Sequence, residues 1–151
     1  MDQEKEKAEV QVGIVIVTHC DYGEALLRAA GHILGKVEDC ASIQVDISSD
    51  VAETVKRLKE AAERLDNGLG VLLLTDMFGG TPTNLSLSLL GQANGRNEVI
   101  TGVNLPMLLK ILNNRKQDLR SLADLACSAG REGIAVAGEI LRNRVKKSET
   151  A

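Results

Sequence analysis

A histidine and an aspartate, each placed just after an apolar run, are the residues in this chain best suited to chemistry. Residues 10–17 read Val-Gln-Val-Gly-Ile-Val-Ile-Val and lead into Thr18-His19. Residues 70–74 read Gly-Val-Leu-Leu-Leu and lead into Thr75-Asp76. Asp76 opens the stretch Asp-Met-Phe-Gly-Gly-Thr-Pro-Thr-Asn, which ends at Asn84. Its two glycines let a ligand approach the backbone closely, and the free amides of the helix that follows favour an anion. Thr81 reads as the cap of that helix, its hydroxyl accepting from a first-turn amide. Pro82 reads as the first helical residue, where a missing N–H costs nothing. Gly79, Gly80 and Thr81 therefore suit the oxygens of a phosphoryl group. A neutral imidazole is a nucleophile, and a carboxylate bonded to one ring nitrogen leaves the lone pair on the other. His19 is thus the candidate nucleophile and Asp76 the acid that orients it.

The two lie far apart in sequence, so the fold must bring them together. The run ending at Val17 is β-branched almost throughout, as expected of a strand buried on both faces of a parallel sheet. A helical pattern follows over about 23–36, with Leu26, Leu27, Ala30, Ile33 and Leu34 at helical spacing. Residues 41–47 read as a second strand. Asp50 opens a second helix, with Glu53 three residues on as in a capping box, and Asp66-Asn67-Gly68 stops it. The third strand covers 70–75 and its helix runs to about Leu90. A polar turn over 91–97 precedes a fourth strand at 98–103, and Asn104-Leu105-Pro106 starts a helix to about Leu112. Residues from Ser121 to about Val145 read as helix, with breaks available at Gly130 or Gly133. This alternation predicts an α/β fold, an open and mainly parallel sheet with helices on both faces. Right-handed crossovers with the first strand central give the order 2-1-3-4. In that order the loops after strands 1 and 3 diverge and leave a crevice at their carboxyl ends, where such sheets bind ligands. His19 begins one of those loops and Asp76 the other.

Composition excludes several classes. A chain of 151 residues, 44% hydrophobic, supports one domain, expected over 9–145 between polar tails at 1–8 and 146–151. A net charge of −3 argues against nucleic acid or an anionic membrane as the main partner. The 3 cysteines, Cys20, Cys40 and Cys127, have no CxxC spacing and an odd count, so neither a disulfide framework nor a metal site is expected and a reducing cytoplasm fits. The charged segment 2–7 does not resemble a secretory signal, and no apolar run approaches a membrane span. The sequence Gly31-His-Ile-Leu-Gly-Lys-Val37 lacks the glycine spacing and hydroxyl residue of a P-loop, and no GxGxxG is present. No nucleotide or other cofactor is expected. The phosphoryl donor is then expected to be another phosphoprotein.

Three motifs in this order carry a family resemblance: Val15-Ile-Val-Thr-His19, Asp76-Met-Phe-Gly-Gly-Thr-Pro-Thr-Asn84, and Thr101-Gly-Val-Asn-Leu-Pro-Met-Leu108. Over about 10–133 the chain resembles the IIA component of the mannose family of the phosphoenolpyruvate-dependent sugar phosphotransferase system. The resemblance implies that His19 takes a phosphoryl group at Nε2 from the phosphocarrier HPr and passes it to a IIB component, with Asp76 as its partner and Thr81 facing the phosphate. It implies a homodimer as well. Alternatives of the same architecture are a regulatory protein whose phosphorylation controls target binding, and a phosphocarrier module for a dihydroxyacetone kinase. The family often has glycine after the histidine, whereas this chain has Cys20-Asp21-Tyr22-Gly23. The family's end can include an exchanged antiparallel strand, yet 133–145 here reads at least as well as helix. The single Tyr, Tyr22, and the single Phe, Phe78, both fall in the loops expected to flank His19, as an apolar rim for docking partners. His32, within the first helix, reads as structural or exposed.

Overall fold

A computed structural model describes residues 9–92 and 96–151. The tail expected at 1–8 and part of the turn expected over 91–97 lie outside them. Among the described residues ten elements follow one another: β1 (Gly13–His19), α1 (Tyr22–Leu34), β2 (Cys40–Val45), α2 (Val51–Leu65), β3 (Val71–Thr75), α3 (Thr81–Leu87), β4 (Asn97–Thr101), α4 (Leu105–Leu112), α5 (Leu119–Glu132) and α6 (Ala137–Glu149). The four strands form one sheet in the order β2-β1-β3-β4, and every pairing is parallel. The expected order and fold class are what the structure has.

Alternation along the strands divides the core into two layers. Ile14, Ile16, Leu72, Leu74 and Ile100 face one side, where Leu26 and Ala30 of α1, Leu108 and Ile111 of α4, and Leu122 and Ala126 of α5 cover them. Val15, Val17, Val45, Val71 and Leu73 face the other, against Leu58 and Ala62 of α2 and Leu85 of α3. With both faces covered, alternation in polarity vanishes, which is why the strands read as continuous apolar runs.

Boundaries shift where local hydrogen bonding competes with the ladder. The first strand starts at Gly13, not near Val10, and runs on through His19. The fourth stops at Thr101, because the amides of Gly102 and Val103 both turn back to the Thr75 carbonyl. The second strand ends at Val45, which leaves Ile47 outside the sheet and fully exposed. Helix α3 ends at Leu87, not Leu90, as Ser88, Leu89 and Leu90 tighten into i→i−3 turns. Helix α5 begins at Leu119, capped by Asp118, whose side chain accepts from the Ser121 amide. The break expected at Gly130 or Gly133 falls at Gly133, where a Cβ would lie 2.6 Å from Pro106 Cβ. Beyond it, α6 is helix, not strand, and continues to Glu149, through part of the stretch read as a tail. It buries no residue. Among the described residues no helix is long and apolar enough to cross a membrane.

The far end of the sheet is stapled by Arg115 in the α4–α5 loop, which is only 5% exposed. Its guanidinium donates to the carbonyls of Val12 (2.8 Å), Glu38 (2.6 Å) and Asp39 (2.8 Å), and its own carbonyl accepts from the Val12 amide. Sequence reading did not find this residue, since a single arginine in a polar loop carries no pattern. Burial pushes the Arg115 pKa down from its ordinary value, and burial likewise pushes the neighbouring Cys40 thiol up to about 11, which keeps it protonated and unreactive near neutrality.

Candidate functional site

His19 is the last residue of β1, the central strand on which both crossovers turn. Its parity with Val15 and Val17 places it on the α2/α3 side of the sheet. The chain then reverses through Cys20, which adopts φ 51°, and α1 begins at Tyr22. The buried Thr18 hydroxyl stabilises this corner by accepting from the Gly23 amide (2.9 Å). Gly23 leaves no room for a side chain, since a Cβ there would lie 2.9 Å from Ile16 Cγ2. The sharp exit of the strand is thereby fixed.

Asp76 follows β3 directly and reaches His19 twice through one oxygen. Its Oδ2 accepts from the His19 amide (2.9 Å) and lies 2.7 Å from ring Nδ1, while Oδ1 accepts from the Met77 amide (2.9 Å). Burial alone would raise the Asp76 pKa, but bonds from the His19 amide and ring and from the Met77 amide hold it below its ordinary value. An ionised carboxylate is an acceptor only, so Nδ1 must be the donor and Nε2 carries the lone pair. The acid is shielded, with its side chain 15% exposed, whereas the histidine side chain is 48% exposed. The imidazole is open to solvent and the carboxylate that holds it is not.

The stretch 77–80 is braced from beneath by Thr83. Its buried hydroxyl donates to the Met77 carbonyl (2.7 Å), so at the 2.6 Å contact between the Thr75 and Thr83 hydroxyls it is Thr75 that donates. Gly79, with φ 80°, supplies the reversal that returns the chain to α3. Gly80 passes against the imidazole, and a Cβ on it would lie 3.0 Å from His19 Cε1 and 3.7 Å from Nε2. Thr81 does not cap α3. The extended residue before the helix is Gly80 (φ −83°, ψ 166°), Thr81 is the first helical residue, and no side chain caps the start. Entry one residue earlier than expected makes Pro82 the second helical position and sends the anchoring hydroxyl to Thr83. The second threonine of Thr-Pro-Thr was the signal available for that role.

Tyr22 and Phe78 occupy different settings. Tyr22 donates its hydroxyl to the Val103 carbonyl (2.9 Å), and Val103 in turn donates its amide to Thr75. That ties the loops after β1, β3 and β4 together. Phe78 is 78% exposed, with Met77 exposed beside it. Cys20 and Asp21 are exposed, and the Asp21 side chain makes no capping bond to α1. His32 is exposed in the last turn of α1, at the end of that helix away from the His19–Asp76 pair.

The class so defined is an open parallel α/β protein that holds a histidine against a carboxylate at the switch point of its sheet. Residues 13–126 match the family described as PTS system fructose IIA component (EIIA-man), and the chain belongs to that family, the mannose-family IIA components of the sugar phosphotransferase system. It is 34% identical over 125 residues to the PTS system mannose-specific EIIAB component of Escherichia coli (strain K12), an alignment covering 82% of this chain and 38% of that protein. It thus spans about two fifths of the length of that relative. It is 29% identical over 105 residues to the PTS system fructose-specific EIIA component of Bacillus subtilis (strain 168), covering 70% of this chain and 71% of that one. Among solved structures, phosphotransferase system component EIIA from Streptococcus agalactiae superposes with a TM-score of 0.78 at 25% identity, over 85% of this chain and 98% of the other.

Proposed function

We propose that the chain is a phosphocarrier of sugar uptake, in which His19 accepts a phosphoryl group at Nε2 from phospho-HPr and passes it to a IIB component. The observation that supports this most directly is the 2.7 Å contact between His19 Nδ1 and an Asp76 carboxylate held ionised. As the donor's N–P bond breaks, its electron pair stays on the donor nitrogen, and the Nε2 lone pair forms the new bond to phosphorus. The Nδ1 proton stays between His19 and Asp76, whose charge balances the imidazolium that results. Phosphoryl transfer is mostly positioning and electrostatics, so little further machinery is needed. Amides around Gly79, Gly80 and Thr81 receive the phosphoryl oxygens, and Phe78 belongs to the rim that meets the partners.

The carrier works in the cytoplasm as a homodimer. A second copy would cover Ile134, Val136, Ile140, Leu141 and Val145, all exposed on α6 and the segment leading to it. The test is incubation of the full chain with phosphoenolpyruvate, enzyme I and HPr. An acid-labile gain of about 80 Da, one phosphoryl group held as phosphohistidine, is expected on the wild type and not on His19→Ala. Subsequent loss of the label to a IIB component separates a transport carrier from a regulatory protein. Label on His19→Ala would refute the assignment.

A further inference from the structure

We propose that Thr83 and Thr75 are positioning residues for phosphoryl transfer: through one buried pair of hydroxyls they hold the 77–80 loop where it serves both the imidazole and the incoming phosphoryl group. This rests on the phosphocarrier reading and adds to it two hydroxyls that bond to neither the ring nor the carboxylate. A hydroxyl side chain within a helix commonly returns to the carbonyl four residues back, as Ser86 does to Pro82 (2.8 Å). Thr83 instead reaches six residues back, out of α3, to the Met77 carbonyl (2.7 Å). Thr75, the last residue of β3, donates into the same oxygen (2.6 Å), so the one hydroxyl proton of Thr83 goes to Met77. Both threonines are buried, which removes water as a competing partner.

Met77 is consequently held at both ends. Its carbonyl takes the Thr83 proton, and its amide donates to Asp76 Oδ1, while Asp76 Oδ2 holds His19. A shift of residue 77 is therefore passed to the carboxylate and through it to the ring. The other end of the loop bears on the ring directly, since a Cβ on Gly80 would lie 3.0 Å from His19 Cε1. Between and just beyond these ends stand the amides of Gly79, Gly80 and Thr81, to which the carrier reading assigns the phosphoryl oxygens. Thr83 lies in the first turn of α3, so its bond to Met77 ties that side of the site to the acid. The orientation of the imidazole and the place of the phosphoryl oxygens are thus set together, and positioning is most of what this chemistry needs. Thr101 supplies a contrast. It is the register partner of Thr75 on β4, and its hydroxyl is buried with no hydrogen-bond partner among the described residues. A hydroxyl that bonds to nothing positions nothing, so Thr101 separates the effect of the bond from that of side-chain bulk.

The experiment compares the wild-type full chain with Thr83→Val, Thr83→Ser, Thr75→Val and Thr101→Val. Valine keeps the branched shape and removes the hydroxyl, whereas serine keeps the hydroxyl. Each is phosphorylated by phospho-HPr over a range of donor concentrations, and separately by phosphoramidate, a small donor that needs no protein contact. Thr83→Val is expected to lower kcat about tenfold and to slow phosphoramidate labelling by a similar factor, with KM for phospho-HPr little changed. Thr83→Ser is expected to recover kcat to within about twofold of wild type, and Thr75→Val to lower it about threefold, since Thr83 keeps its bond but loses the donor that orients it. Thr101→Val is expected to match the wild type. A wild-type kcat in Thr83→Val, or a rise in KM with kcat intact, overturns the proposal. So does a serine variant as slow as the valine one, or a Thr101→Val variant that is equally slow. If Thr83→Val does not fold, Thr75→Val against Thr101→Val decides the matter in the same way. If neither donor labels His19 of the wild type, the carrier reading itself fails and the proposal falls with it.

Discussion

Replacing Asp76 with asparagine preserves shape and removes one charge, and the three bonds at this side chain leave no harmless arrangement. Suppose the amide oxygen takes the place of Oδ2. It can accept from the His19 amide and from Nδ1–H, but its NH2 then faces the Met77 amide, donor against donor. Suppose the group is flipped. The NH2 now faces the His19 amide, and Nδ1 must become an acceptor, which moves the ring proton to Nε2 and removes the nucleophilic lone pair. Either way a backbone amide loses its acceptor and a charge-assisted bond is lost, a cost of about 2–4 kcal/mol by the usual scale of such bonds. Phosphorylation of His19 by phospho-HPr should slow by about 10²–10⁴, as expected when an oriented acid is removed from a base or nucleophile. Because folding lowers the Asp76 pKa, its stabilisation is fully present above the unfolded carboxylate value and is lost as pH falls through the folded one. The stability gap between wild type and Asp76→Asn, from urea unfolding, should therefore be largest near neutrality and shrink below about pH 4. Ring ¹⁵N shifts of His19 report the tautomer directly. Near-wild-type phosphorylation of Asp76→Asn, an Nε2–H tautomer in the wild type, or a gap that widens in acid would refute the reasoning.

Gly80→Ala introduces a methyl 3.0 Å from His19 Cε1 at a backbone φ of −83° that any residue tolerates, so the strain falls on the imidazole. Phosphorylation should slow about tenfold or more from the displaced ring, with thermal stability little changed; a wild-type rate would mean that the ring has slack. Arg115→Met removes the guanidinium donor from three carbonyls just ahead of β1 and β2, of which Asp39 keeps a second backbone donor, the Ile14 amide, and should cost about 3–5 kcal/mol in urea unfolding. His19 lies at the opposite end of the sheet, so the folded fraction of that variant should still be phosphorylated at the wild-type rate.

How much of this was legible in the sequence depends on whether a feature repeats. The strands were readable because burial on both faces turns Val15–Val17 and Val71–Leu74 into unbroken apolar runs, and right-handed crossovers left few orders for them. The meeting of His19 and Asp76 then followed from strand order alone. Features set by one local choice were not readable. Whether the chain enters α3 at Gly80 or at Thr81 depends on which threonine reaches the Met77 carbonyl, and Thr-Pro-Thr offers two. Ile47 continues the polarity of the second strand, and only the turn in which the Asp46 amide donates to the Ser49 hydroxyl takes it out of the sheet. Gly133 and Gly130 look alike in sequence, and it is beside Pro106, at Gly133, that the helix ends.

The scarcity of cations around His19 fits a carrier better than a phosphate-binding enzyme. A carrier must release its phosphoryl group about as readily as it accepts it, so the phosphorylated state cannot lie in a deep well. An ammonium group held about 4 Å from the phosphoryl would stabilise that state by about 4 kcal/mol per unit charge at an effective dielectric near 20. That amounts to about a thousandfold penalty on onward transfer. On the proposed carrier reading, with no Lys or Arg in segments 19–22, 46–55 and 75–92, the stabilising cation would arrive and leave with each partner. Asp76 is the exception that the chemistry requires. It binds the same residue by its amide and by its ring through one oxygen, so it holds the imidazole from the Nδ1 side, away from Nε2. On the proposed carrier reading, the imidazole would thus stay oriented between one partner and the next.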